Sequence, residues 1–363
     1  DLAASAQRSR GCWIEVCVAW GMLQAGCDHP SSETRQCLIR DAREGATTLV
    51  LGAGVASACH VATWRELALR LWRDVFGSDP PAAADDPRFY PFVFEQVQQA
   101  IPDEFPDRLK HILYAGHDLP SREELASSQT NTLAVLARVI ASEVQATQRC
   151  LTRVITLNVD DLLERAIKCL AGPTATGVRP IARASTNLPH LKAALPIYHL
   201  HGYLRSDPDG SESDDAPDVL VFTDQQYWAS AAVPASHMNR TFSFALHDTH
   251  CVFIGTSMID LNIWRWLALR SLEIAEDYSR QQQAAGPHAR RELAELYERS
   301  LNRHYWITCA DEPEQAFLSQ CLALRGVRTV PIESWTGRSF SQLMSECYPR
   351  SAPAQGVYVA RSR

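Results

Sequence analysis

The chain has 363 residues, a formal net charge of −7 and a pI near 6.0, enough for two ordinary domains or one large α/β domain with an insertion. This charge balance argues against a protein built around nucleic-acid binding, which draws on clustered cations. The 11 cysteines form no CxxC pair, which disfavours a disulfide scaffold or a four-cysteine zinc ribbon and points to a reducing cytoplasm. Apolar runs fall short of the roughly 18 residues that span a bilayer, and the opening residues lack a signal peptide's basic head and apolar middle, so a cytoplasmic protein with no membrane partner is expected.

Trp13, Val16, Cys17, Trp20 and Leu23 fall at helical spacing before Gly26, and a second helix is expected over Ser31 to Glu44, stopped by Gly45. Residues 1–45 therefore read as an N-terminal helical arm. An apolar strand, Thr47 to Leu51, runs into Gly52-Ala53-Gly54. Thr63 and Glu66 then have capping-box spacing, and Trp64, Leu67, Ala68, Leu71, Trp72 and Val75 mark one face of a helix ending before Gly77. Residues 79–87 read as a loop, and Ser121 with Glu124 opens what reads as one long helix to Gln148, so that about 65–150 forms a helical insertion. Strands are expected at 153–158, 196–201, 219–222, 251–255, 304–309 and 327–332, most followed by helical stretches, with a polar acidic loop over 205–218. Short apolar strands alternating with helices predict an α/β fold: a doubly wound, Rossmann-like, mostly parallel sheet over 46–350, with a tail over 351–363.

Four clusters carry candidate chemistry. The turn Gly52-Ala53-Gly54 with Val55 lets backbone amides and a helix N-terminus approach a diphosphate. The dehydrogenase fingerprint, however, needs a third glycine near Ser57 and an acidic residue about 20 residues on, where this chain is helical. A purely structural tight turn accounts for the glycines equally well. Asn158, Asp160 and Asp161 lie just past the second strand, at the edge where ligands sit in parallel sheets, although Asn and Asp are also favoured helix caps. His201, followed by Gly202, ends the next strand and is a candidate proton acceptor; His199, two residues earlier, reads as structural. The His-Leu-His pair lacks partners at zinc-site spacing, so no metal is expected. Gly255, Thr256 and Ser257 follow a further strand, with Asp260 and Asn262 opening a helix; the hydroxyls suit either a ribose or phosphate or a helix cap.

In this order, the segments GAGVASACHVATW, TLNVDDLLE, HLHG and FIGTSMIDLNI resemble the sirtuin superfamily, specifically its bacterial silent-information-regulator-two-like branch, over about residues 45–348. The resemblance implies that NAD is bound as a substrate and that its nicotinamide–ribose bond is cleaved without hydride transfer. It gives Asn158 the positioning of ribose and attacking water and makes His201 the general base. Gly52, Ala53, Gly54 and Val55 would cradle the diphosphate, Asp160 would support the ribose side, Gly255, Thr256 and Ser257 would contact the adenosine half with Asn262 beside them, and Trp64 would shield the reacting sugar. The chemistry suits these residue types: nicotinamide leaves as a neutral group from a cationic ring, so the site needs positioning and water control more than a strong acid.

The sequence departs from the family pattern at Ala56 (usually Ser), His60 (usually Gly) and Ala62 (usually Pro), which alters the loop over nicotinamide. The resemblance further implies an NAD-depleting effector of an antiphage system, active in a homo-oligomer or with a partner ATPase or Argonaute-like defence protein. The alternatives are a sirtuin-type ADP-ribosyltransferase or deacylase, against which the missing zinc module counts, and a catalytically weak NAD or ADP-ribose sensor.

Overall fold

The computed structural model describes residues 31–81, 86–172, 178–182, 194–206, 220–233, 236–309 and 313–351. The expected Trp13–Leu23 helix, the acidic loop past 206 and the tail past 351 lie outside the described residues.

Helix α1 (Ser31–Glu44) leads into β1 (Thr47–Leu51), and both keep the bounds expected from the sequence. All five residues of β1 are buried. Leu49 and Leu51 enter one hydrophobic cluster and Val50 the other, because a strand covered on both faces sends alternate side chains into two cores. Helices α2 (Trp64–Phe76), α3 (Tyr90–Ala100), α4 (Phe105–Tyr114), α5 (Arg122–Ser127) and α6 (Thr132–Gln145) separate β1 from β2 (Leu151–Thr156). Then follow α7 (Leu162–Ala171), β3 (Val178–Ile181), β4 (Leu195–His199), α8 (Asp224–Ala232), α9 (His237–Asp248), β5 (His250–Ile254), α10 (Leu261–Ala284), α11 (Pro287–Leu301), β6 (His304–Cys309), α12 (Pro313–Ala323), β7 (Val327–Ile332) and α13 (Ser339–Cys347). The sheet order is β3-β4-β2-β1-β5-β6-β7, and every described pairing is parallel. This is the doubly wound α/β class. The chain builds outward from β1 on one side as far as β3 and β4, then crosses to β5 on the other, which puts the topological switch beside β1.

Three expectations need correction. The helix read from Ser121 to Gln148 breaks into α5 and α6. Ser128 Oγ accepts from the amides of Thr130 (3.4 Å) and Asn131 (3.2 Å), and Asn131 Oδ1 caps α6 at the Ala134 amide (3.0 Å). Arg138 takes up the freed Leu125 and Ser128 carbonyls, each at 2.6 Å. A run of polar side chains that bind their own backbone competes with the helix. Residues 220–222 are not a strand, though Val221 donates to the His201 carbonyl (3.0 Å). Strand β3, which sequence reading missed, holds Pro180, a residue tolerated only at a sheet edge, where β3 lies.

The start of β2 is tied to α6 by one carboxylate. Glu143, 2% exposed, accepts from the amides of Cys150 (2.6 Å) and Leu151 (3.0 Å). Glu143→Ala orphans both buried donors, and we expect it to lower stability by about 3 kcal/mol, read as a fall in the urea midpoint at unchanged slope.

Candidate active site at the carboxyl edge of the sheet

Four neighbouring strands, β4, β2, β1 and β5, end at one edge of the sheet, and each carries one of the four clusters. The pairing continues into the loops: the amide of Gly52 donates to the Ile254 carbonyl (3.0 Å), that of Leu157 to Leu51 (2.9 Å) and that of Leu200 to Thr156 (3.0 Å). Residues scattered over a hundred positions therefore leave the sheet side by side.

The glycine turn is packed against the end of β5. A methyl group on Gly52 would sit 2.6 Å from the Gly255 carbonyl oxygen, and one on Gly255, at φ +65°, would sit 2.7 Å from the Val55 nitrogen. The amide of Gly54 donates to the Gly255 carbonyl (2.9 Å) and that of Val55 to Gly52 (3.1 Å). The amides of Gly52, Gly54 and Val55 are thus engaged within the protein, while Ala53 lines a crevice with Ala56, Trp64, Asn158, Asp160 and Phe222. The turn ends at His60, a non-glycine residue in the left-handed conformation at φ 57°, the position where the sequence departs from the family's glycine.

The Asn158 side-chain amide donates to the Gly52 carbonyl (3.2 Å), which joins the end of β2 to the glycine turn. His199 is structural, as expected from the sequence. Its Nδ1 donates to the Asn158 carbonyl (3.0 Å) and its Nε2 meets Glu164 Oε1 at 2.7 Å. Burial opposes the charged ring, but Glu164 and the Asn158 carbonyl outweigh it and raise the pKa above the ordinary histidine value. His201 is 2% exposed, and burial lowers its pKa against the pull of the Asp260 carboxylate and of the Leu157 backbone. A base kept neutral at neutral pH is the result.

Trp64 joins the two halves. Its ring lines the crevice with Asn158, packs on Phe222 at 4.9 Å and Phe94 at 5.1 Å, and meets His201 edge-on at 6.5 Å between centroids. On the β5 side, buried Thr256 Oγ1 and Asn262 Nδ2 have no protein partner, nor does His201 Nδ1, and Ser257 is exposed. Buried polar atoms without partners are rare and mark places where a ligand or water belongs. The described residues contain no group of His, Cys, Asp or Glu able to hold a metal ion, and no helix among them is long and apolar enough to cross a membrane.

Sequence reading missed Tyr227 and Phe222 as members of this constellation and took Asp260 only as a helix opener. No local signal marks them: they reach His201 because Val221 donates to the His201 carbonyl (3.0 Å) and carries the start of α8 beside the ring.

The site is thus that of an open parallel α/β protein with its polar groups at the carboxyl edge beside the topological switch. Residues 152–330, from β2 into β7 and including Asn158, His201 and Gly255, match the family model described as a SIR2-like domain, so this chain carries a sirtuin-like domain. Among solved structures it is similar to a Sir2 homologue–NAD complex (12% identity, covering 87% of this chain and 94% of that one, TM-score 0.40). It is also similar to a mutant Sir2 homologue bound to ADP-ribose (13% identity, 85% and 95%, TM-score 0.39). No curated protein matches it.

Asp160, 8% exposed, lines the same crevice. Burial raises its pKa to about 6 against the Leu162 amide that it accepts. Because the folded value lies above the unfolded one of 3.8, the stabilisation from this group is complete below pH about 4 and is lost as pH rises through about 6. Asp160→Asn keeps the acceptor and removes the charge. It should melt higher than the wild type at pH 7.5, by up to about 3 kcal/mol, with the gap closing as pH falls towards 4 in paired thermal melts.

Proposed function

We propose that the protein is an NAD hydrolase, with Asn158 and His201 as its catalytic pair. The observation that carries the proposal is that an amide at the end of β2, tied to the glycine turn, and a buried, neutral imidazole just past β4 share one residue, Trp64, which lines the crevice with the amide and meets the imidazole edge-on. The SIR2-like match over 152–330 supports the same reading.

In this mechanism Asn158 orients the ribose and a water at the anomeric carbon. The carbon–nitrogen bond to nicotinamide breaks with its electron pair leaving on the neutral base, water oxygen bonds to that carbon, and His201 accepts the water proton. The products are nicotinamide, ADP-ribose and one proton. A histidine base supplies roughly 100- to 10,000-fold in rate, and positioning supplies the rest. Thr256, Ser257 and Asn262 hold the adenosine half, and Asp160 faces the ribose. The amides of Gly52, Gly54 and Val55 are engaged by the carbonyls of Ile254, Gly255 and Gly52 and contribute to a diphosphate cradle only if those bonds loosen, so Ala53 is its fixed point. The free space at the centre of the crevice is about 30 Å³, against about 300 Å³ or more in ordinary ligand sites. Trp64 and Phe222 must therefore part to admit nicotinamide, and the protein is silent until something opens it. That fits an effector of antiphage defence held inactive before assembly with further copies or a defence partner, in a cytoplasmic setting where free activity would deplete NAD.

The test is to incubate the protein with NAD, alone and with the products of neighbouring genes, and to follow nicotinamide and ADP-ribose by chromatography. We expect the wild type to release nicotinamide once the products of neighbouring genes are present, and under the same conditions a loss of about 100-fold or more in Asn158→Ala and His201→Ala, with melting transitions retained. Modified protein in place of free ADP-ribose would favour the transferase, and binding without turnover the sensor.

A further inference from the structure

The Asp260 carboxylate does more than a helix cap requires. Its Oδ1 accepts from the amides of Asn262 (2.7 Å) and Ile263 (3.3 Å) at the start of α10, a task that one oxygen of Ser, Thr or Asn performs equally well. Its Oδ2 points the other way, 3.7 Å from His201 Nε2, and accepts from the Tyr227 hydroxyl at 3.4 Å. The side chain is only 15% exposed. A second carboxylate oxygen kept out of water with no role would be unfavourable. Around the imidazole stand Asp260 from α10, Tyr227 from α8 with ring centroids 5.4 Å apart, the Leu157 backbone past β2, and the uncharged Trp64 from α2. Arg265, further along α10, bonds to Asn239 Oδ1 at 2.9 Å and lies over the Trp266 ring, and its charge also attracts the Asp260 carboxylate.

Building on the hydrolase reading, we infer that Asp260 is the positioning residue of His201, fixing the orientation and tautomer of the ring and stabilising the imidazolium formed when the ring takes the water proton. The start of α10 makes this possible, because the bonds to Oδ1 lock the carboxylate and leave Oδ2 facing the ring. Tyr227 braces the pair by packing on the imidazole while donating to the same oxygen.

Asp260→Asn tests this, since asparagine keeps the helix cap and loses the charge. Two readouts are taken on the full chain: the titration of His201 in histidine-labelled protein by NMR, assigned by the signal absent from His201→Ala, and the pH profile of nicotinamide release. A carboxylate this close raises the pKa of its partner, so in Asp260→Asn we expect the His201 midpoint to fall by about one pH unit, the acid limb of the profile to move down with it, and turnover to fall about tenfold. An unchanged His201 midpoint overturns the proposal whatever the activity does. If the wild type releases no nicotinamide even with the products of neighbouring genes present, the hydrolase reading fails while the titration still decides the role of Asp260. Should Asp260→Asn not fold, Asp260→Ser, another good cap, takes the same titration.

Discussion

The carboxyl ends of β1 and β5 touch through glycine. Their register, Leu51 against Ile254, carries both chains off the sheet together, and the next residues cross at distances that leave no room for a Cβ: 2.6 Å at Gly52 and 2.7 Å at Gly255. Everything at this edge depends on that contact. It aims the Gly52 carbonyl at the Asn158 amide, turns residues 53–59 into two short 3-10 turns over the crevice, and fixes the entry to α10, where Asp260 sits. Glycine at these positions therefore has a packing reason that holds with or without a nucleotide.

Much of this was legible in the sequence because it is local. The runs at 47–51, 304–309 and 327–332 are apolar and bounded by polar or glycine residues, and they form strands with those bounds. Thr63 with Glu66 makes the capping box that its spacing announces. His199 could be set apart from His201 because only the second stands at the strand's end, next to a glycine. Failures came where long-range contacts decide. Whether residues 121–148 stay one helix depends on Arg138 reaching back to Leu125 and Ser128. Whether 219–222 pairs as a strand depends on what lies beside β4, and β3 is extended only because β4 offers it an edge. Asp260 was legible as a cap, but its second oxygen has meaning only once Tyr227 and His201 are beside it.

The polar groups of this edge divide into two kinds. One network is fully engaged: Asp161 accepts from the Tyr114 hydroxyl (3.0 Å) and from the Ser206 amide and hydroxyl (2.9 Å each), while Arg165 donates to Ser206 Oγ at 2.8 Å. It ties α4, α7 and the loop after β4 into one rigid frame, as a satisfied buried network does. Inside that frame lie groups held at a disadvantage: the raised Asp160 carboxyl, the buried His201, and the unpartnered atoms of Thr256, Asn262 and Glu164. Asp161 and Asp160 are adjacent in sequence yet fall on opposite sides of this division, Asp161 within the satisfied network and Asp160 accepting only the Leu162 amide.

That division explains how a site so nearly closed retains its shape. Trp64 and Phe222 line the crevice beside Asp160, and with Phe94 behind them they form an apolar cluster with ring contacts of 4.9 to 5.1 Å. Parting the rings would wet Asp160 and let a ligand meet the idle donors, so favourable solvation and ligand contacts would offset part of the lost aromatic packing. The rigid frame confines such a change to the glycine turn and the 220–222 stretch. The left-handed His60 lies at the end of that turn, a conformation costly for a residue with a Cβ that the surrounding packing must offset.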